Sequence, residues 1–487
     1  MNRSSLGFPS LCALLLVGAG CGCRFTADTQ DDTSADTSDD TGPVSTQGDV
    51  LILTNTAYGC VRFLDYQTTE QLAEICFSEL LPELCDEILP SGWARCQAFS
   101  VLYDPVTEPE SLIMVFARQG DEPEDLLPGG VVAMDLAWPL EPSWRLHEVD
   151  LPASHPRSAE CEEVHQRLGP DGIPEMGEGV ERECYTVFPH ELGWMPGHEL
   201  LALSDTTLNR VIWFAPPQGD THGAVTAVLE PEVTSVGVHD RTLNCLELVE
   251  HDDRVMLLNS FKTSVAPEAA GLDQGRLMMW DVTDLDAISH LWTYPSQGYL
   301  AAVHGPSMWD TPIGPLLTYA HSAGGSDEDR GHYGSVGLAL ASWDNDPVYL
   351  GDILPVETDY ADPMGFTRDV KLVSGDLERL LVLDSGCESP GPNGCERDAR
   401  LLEMDLVLPD IPGLSGAFSA EHEQQVFNRV PVQRHIAEAG DLLFPFEVQQ
   451  LSAAEVGPGL RAFLDQGQAR ARRSDGSSPP AGRGVTP

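Results

Sequence analysis

His190, Asn244, His304 and Arg368 each stand at the head of a short run of apolar residues. A neutral imidazole is a nucleophile and a proton acceptor, and a guanidinium holds the oxygens of an anionic group. An amide beside them adds a donor and an acceptor. A histidine that opens a strand also serves as a hydrogen-bonded structural group, so both roles stand open for His190 and His304. His321 and His332, with Asp327, Glu328 and Asp329, have the residue types of a metal site, yet they lie in a Gly-rich acidic stretch that reads as a solvated loop. His239 and Asp240 read as a turn. No G-x-S-x-G, G-x-G-x-x-G or P-loop motif occurs.

The elements around these residues are short. Val50–Thr54, Leu112–Phe116, Val131–Met134, Leu200–Leu203, Arg210–Phe214, Val255–Leu258, Leu277–Trp280, Leu316–Tyr319, Val336–Leu340, Leu380–Leu383 and Arg400–Met404 are apolar runs bounded mostly by Gly, Pro, Asp and Asn. Such runs predict strands. They recur in one order: a polar opener, a turn, a second apolar strand, a loop, and a strand ending near an acidic or aromatic residue. His190 to Asn244 spans 54 positions and Asn244 to His304 spans 60, the length of one four-stranded blade with long loops. Degenerate units at about 49–105 and 110–150 complete the count. The spacing predicts an all-β fold, a β-propeller of about six four-stranded blades; a pair of β-sandwiches is the alternative. A further strand for the last blade, or the closure of the ring, is expected from 425–432 or 442–448. Helical periodicity is confined to Thr69–Leu89. In a propeller the first strand of each blade lines the central channel, so the four openers are expected to converge there.

The openers and the stretch His304-Gly-Pro-Ser-Met followed by Gly314-Pro-Leu-Leu-Thr-Tyr-Ala-His-Ser322 resemble the arylsulfotransferase family of six-bladed propellers over about residues 185–385. That resemblance implies channel histidines and an arginine that bind sulfate, with one histidine carrying the sulfuryl group. It places His304 at a family channel histidine and Asn244 at the opener of the preceding blade. Gly305 and Pro306 follow His304 where the family has an acidic residue, and Cys245 follows Asn244 where it has a small polar one. With its pattern eroded in this way, the chain reads first as a binding or scaffold propeller and second as a sulfuryl-transferring enzyme.

The first residues set the address. Arg3, the apolar run Leu11–Val17 and Gly18-Ala-Gly-Cys21 resemble a bacterial lipoprotein signal over 1–20, cleaved before a lipid-bearing Cys21. Gly22 rather than Asp after the cysteine favours the outer membrane in that resemblance, so the expected location is an outer-membrane lipoprotein facing the periplasm or the cell surface. Residues 21–48 are rich in Asp and Thr and should form a disordered acidic tether. The propeller follows over 49–465, and a disordered tail is expected over 466–487. The partners expected are the membrane, through the lipid, and a protein, glycan or small-molecule ligand. Lys and Arg total 27 against 77 Asp and Glu, a net charge of −50, which excludes nucleic acid as a natural partner. No cofactor or metal is expected, since no calcium-loop motif accompanies the carboxylates.

There are twelve cysteines. With Cys12 in the leader and Cys21 lipidated, the export route makes disulfides the expected state for most others. Cys387 with Cys395 and Cys161 with Cys184 are the expected pairs around turn-rich insertions. Cys60, Cys76, Cys85 and Cys96 suit two bridges, written here as 76–85 and 60–96. Cys245 reads as a buried free thiol.

Overall fold

A computed structural model of the chain describes residues 48–474, except 168–183, 232–240, 264–275, 323–334, 357–366, 387–398, 407–426 and shorter stretches between elements. The short apolar runs are strands. The first blade contains β1 (Val50–Asn55), β2 (Cys60–Asp65) and β3 (Gln71–Cys76), and the second β4 (Cys96–Asp104), β5 (Ser111–Gln119), β6 (Leu126–Asp135) and β7 (Pro142–Leu146). A two-residue strand, β8 (Val149–Asp150), precedes the third blade: β9 (Pro189–Met195), β10 (Leu200–Asp205), β11 (Arg210–Phe214) and β12 (Gly223–Leu229). The fourth has β13 (Arg241–His251), β14 (Arg254–Thr263), β15 (Arg276–Asp281) and β16 (Ser289–Pro295); the fifth has β17 (Ala302–Thr311), β18 (Gly314–Ser322), β19 (Ser335–Leu340) and β20 (Val348–Val356). The sixth has β21 (Thr367–Val373), β22 (Asp376–Asp384), β23 (Arg400–Asp405) and β24 (Phe427–Ala437). The last strand, β25 (Pro445–Leu451), pairs antiparallel with β1 and so supplies the inner strand of the first blade. The chain is a six-bladed β-propeller.

Sequence alternation explains why the blades stack. The second strand of each blade is covered on both faces, so its residues alternate between two neighbours. On β14, Val255 and Leu257 join the core against the third blade, while Met256 and Leu258 join the core against the fifth. On β22, Leu380 and Val382 face the fifth blade, and Leu381 and Leu383 face the first. On β1, Leu51 and Leu53 face the sixth blade, and Val50 and Ile52 the second. Each fully buried Leu or Ile contributes roughly 1.5–3 kcal/mol, so these inter-blade seams carry most of the stability. Tyr319 lies flat over its cross-strand partner Gly337, where a Cβ would sit 2.2 Å from the ring.

Both segments expected to close the fold are strands, with different tasks. β24 is the fourth strand of the last blade and also pairs in parallel with β20, joining blades five and six at their outer edges. β25 closes the ring. Among the described residues four α-helices decorate it: α1 (Phe77–Leu80), α2 (Pro82–Cys85), α3 (Ser158–Arg167) and the longer α4 (Pro458–Ser474).

Three expectations need correction. The Thr69–Leu89 segment is strand β3 followed by the single turns α1 and α2, because pairing with β2 claims Gln71–Cys76. Residues 466–474, expected in the disordered tail, are the second half of α4, whose Leu460, Phe463 and Leu464 pack into the core of the first two blades. The disulfides are Cys60–Cys76 and Cys85–Cys96, not 76–85 and 60–96. The β2–β3 register sets Cys60 opposite Cys76, and Cys85 at the end of α2 meets Cys96 at the start of β4. Cys161–Cys184 forms as expected, and Cys245 is a buried free thiol. Cys21, Cys387 and Cys395 lie outside the described residues.

Candidate functional site

Every inner strand carries a β-bulge near its start. Extra residues stand opposite a single partner at Phe446-Glu447, Phe99, His190-Glu191, Asn244-Cys245, Gly305-Pro306 and Arg368. A bulge re-aims side chains and leaves an extra backbone donor. Three hydroxyls on second strands take up those donors. Thr54 Oγ1 accepts from Phe446 N and Glu447 N at 3.1 and 2.9 Å, Ser204 Oγ from Glu191 N at 3.0 Å, and Ser260 Oγ from Cys245 N at 3.0 Å. The bulges sort the channel residues into two layers.

The first layer is aromatic and basic, and it surrounds the Phe446 ring. His190 meets Phe446 edge-on at 4.2 Å between centroids, His304 lies at 6.0 Å, and Phe99 at 5.1 Å. The Arg368 guanidinium lies over Phe444 at 4.8 Å and Phe446 at 5.2 Å, within cation–π range. Trp93, on the Cys85–Cys96 loop, packs against Phe444 at 5.3 Å. Arg368 Nε donates to Ser385 Oγ at 3.2 Å, and Arg368 Nη1 lies 3.3 Å from His304 Nε2. A guanidinium only donates, so His304 Nε2 is the acceptor and the imidazole proton sits on Nδ1. Nδ1 faces Cys245 Sγ at 4.0 Å. His190, His304 and Arg368 are 3, 1 and 4 % exposed.

The second layer lies one to three residues further along the same strands. It is a closed circuit that joins all six inner strands. Ser100 Oγ accepts from Leu192 N at 3.2 Å, Glu191 Oε2 from Leu246 N at 2.5 Å, and Glu247 Oε1 from Met308 N at 3.5 Å. Lys371 Nζ donates to Ser307 Oγ at 3.0 Å, Asp369 Oδ2 accepts from Val448 N at 3.0 Å, and Glu447 Oε2 from Val101 N at 3.1 Å. Each junction between neighbouring inner strands therefore has a side-chain bridge.

The electrostatics of this layer are unusual. Glu191, Glu247, Asp369 and Glu447 share one ammonium, Lys371, whose Nζ lies 3.5 Å from Asp369 Oδ1. Burial, reinforced by the neighbouring carboxylates, pushes Glu447 up to about 7. Burial also lifts Glu247 to about 7, against the pull of Lys371. Burial and the Glu447 charge push Glu191 well above the carboxylate range, and burial raises Asp369. Burial alone would lower Lys371, but Asp369, Glu247, Glu191 and Glu447 together hold it above its ordinary value. Burial and the Glu191 charge push the Cys245 thiol well up, which makes it a poor nucleophile.

The structure thus gathers His190, His304 and Arg368 around one ring. Asn244 lies on β13 at its bulge, with its side chain outside the described residues. Phe446, Phe99 and the five charged residues of the second layer were not singled out from the sequence. The available signal was an acidic residue directly after a bulky opener, as in His190-Glu191, Arg368-Asp369 and Phe446-Glu447. Among the described residues, the one grouping of metal-ligand types is Cys60, Glu74 and Cys76, and the disulfide removes both thiolates. The 327–329 acidic stretch, His332, His239 and Asp240 lie outside the described residues, as does the His321 side chain.

No protein-family profile matches the chain, and no curated protein matches it. Similar solved structures include a Bacteroides fragilis protein with the provisional name 6-phosphogluconolactonase, at 8 % identity and a TM-score of 0.40 over 84 % of this chain and 100 % of that one. A Pseudomonas aeruginosa periplasmic gluconolactonase is similar at 9 % identity and a TM-score of 0.39, over 83 % of this chain and 99 % of that one. Kuenenia stuttgartiensis hydrazine synthase is similar at 10 % identity and a TM-score of 0.38, over 77 % of this chain and 80 % of that one.

Proposed function

We propose that this chain is an exported, lipid-anchored β-propeller that acts at the cell envelope by binding, as a recognition or scaffold protein, with its channel residues holding the ring together. The observation that carries this reading is the state of His304. Its Nε2 accepts from Arg368, its Nδ1 faces Cys245, and the residue is 1 % exposed. A histidine that attacks a sulfuryl group needs a free nitrogen beside an open pocket. The sulfuryl-transfer reading therefore has no support from the geometry. Three disulfides support export. Binding of a protein, glycan or small molecule then falls to surfaces outside the packed channel.

Two assays test the reading. Purified mature protein is offered an aryl sulfate donor with a phenol acceptor, and separately a sugar lactone, alongside H190A and H304A. Rates at background in all three proteins are expected. Turnover by wild type that falls in H304A would overturn the binding reading. For the anchor, acyl labelling in cells should mark wild type, and C21S should lose the label and leave the membrane fraction.

A further inference from the structure

We infer that the carboxylate ring of the channel is a proton-operated clasp: with protons aboard it holds adjacent inner strands together, and their loss at alkaline pH loosens those junctions. The geometry comes first. Four carboxyl groups from β9, β13, β21 and β25 face one ammonium from β21, and β4 and β17 add only the hydroxyls of Ser100 and Ser307. One step away stand His190 on β9, Cys245 on β13, His304 on β17 and Arg368 on β21. The Arg368 guanidinium is directed toward Ser385 and His304. With all four carboxyls ionised, the circuit would hold an excess of negative charge among buried Glu191 and Asp369 and half-buried Glu247 and Glu447, where like charges repel.

Each carboxyl gives one oxygen to a backbone N–H of the next strand, and that oxygen accepts whether or not the group is protonated. The second oxygen is where charge is costly. Glu247 Oε2 is buried and has no hydrogen-bond partner among the described residues. An anionic Glu247 is compensated only in part, by Lys371 and Ser307, and a proton removes the remaining penalty. The upward shifts of Glu247 and Glu447, to about 7, agree with this arrangement.

The direction follows. Carboxyls whose folded value lies above the unfolded 4.5 contribute stability that is fully present below 4.5 and is lost as pH rises through about 7. Between pH 5.5 and 8 the loss corresponds to a rise of roughly thirty-fold in the unfolding equilibrium constant for each of Glu247 and Glu447. Glutamine keeps the accepting oxygen and mimics the neutral form, so it should stay closed.

The test is urea unfolding of the mature chain at pH 5.5 and 8.0, for wild type, E247Q, E447Q and the double variant. Amide hydrogen exchange is read at Met308 and Val101. The wild-type unfolding constant should rise more than that of each single variant by roughly thirty-fold. At pH 8 Met308 should lose protection in wild type and E447Q but not in E247Q, and Val101 in wild type and E247Q but not in E447Q. An equal pH response in wild type and the variants would overturn the inference, as would protection factors at Met308 and Val101 that are independent of pH. If the double variant does not fold, each single variant is read by the same comparison.

Discussion

The two layers of the channel are built from neighbouring residues of the same strands, yet they solve burial in opposite ways. In the first, His190, His304 and Arg368 are packed against Phe99, Phe444 and Phe446, and the Arg368 charge is met by Ser385, the His304 ring and aromatic faces. In the second, Glu191, Asp369 and Glu447 follow directly after His190, Arg368 and Phe446, and the groups are almost all of one sign. The bulge is the cause. It turns one residue of each pair toward the aromatic cluster and the next toward the neighbouring inner strand. Two chemistries one residue apart are a consequence of backbone register, and they make different demands: shape above, protonation below.

Substitutions can break this contrast. The largest effect is expected where the layers meet. Gly305 has φ +43°, and a Cβ there would sit 2.3 Å from Asp369 Oδ1, 2.7 Å from Asp369 Cα and 2.9 Å from the Arg368 carbonyl oxygen. G305A should cost about 4 kcal/mol in urea unfolding or prevent folding. A cost below about 1 kcal/mol would mean that β17 and β21 do not approach so closely.

Lys371→Met leaves the ring without its cation, with its side chain 20 % exposed in the wild type. About 3 kcal/mol should be lost at pH 8, because four carboxyls then face one another unbalanced, and about 1 kcal/mol at pH 5.5, where protons take over. Equal losses at both pH values would remove the electrostatic role. Phe446→Ala probes the upper layer. It should also cost about 3 kcal/mol, through the cavity it leaves, but by the same amount at pH 5.5 and pH 8. A pH-dependent cost would show that the layers are coupled.

Glu110 provides a control outside the channel. Desolvation raises its carboxyl, but it accepts hydrogen bonds from the Tyr103 hydroxyl and from Gly459 N and Leu460 N at the start of α4, and together these hold it below the usual range. E110Q should cost about 1 kcal/mol at neutral pH. The sign is opposite to that of the ring: this stability is present above the ordinary 4.5 and is lost as pH falls through the folded value.

Blades were legible in the sequence because strands buried on both faces are short unbroken apolar runs, as in Leu200-Leu-Ala-Leu and Leu380-Leu-Val-Leu. The openers were legible because a polar residue at the head of such a run stands out. The ring was not. Glu191 and Asp369 carry no signal of their own until the bulge register shows that they and their predecessors both point inward. Phe446 lies in the 442–448 stretch expected as a closing strand, but its place beside the openers depends on pairing with β1 across nearly the whole chain. The Cys60–Cys76 pairing likewise depends on the β2–β3 register rather than on spacing.

The most direct measurement of the contrast is a carboxyl ¹³C NMR titration of glutamate-labelled mature protein, with Glu247, Glu447 and Glu110 assigned by their glutamine variants. Glu247 and Glu447 are expected to titrate near 7, while Glu110 titrates below 4.5. Carboxyl resonances of Glu247 and Glu447 that are fully ionised at pH 5.5 would contradict the account.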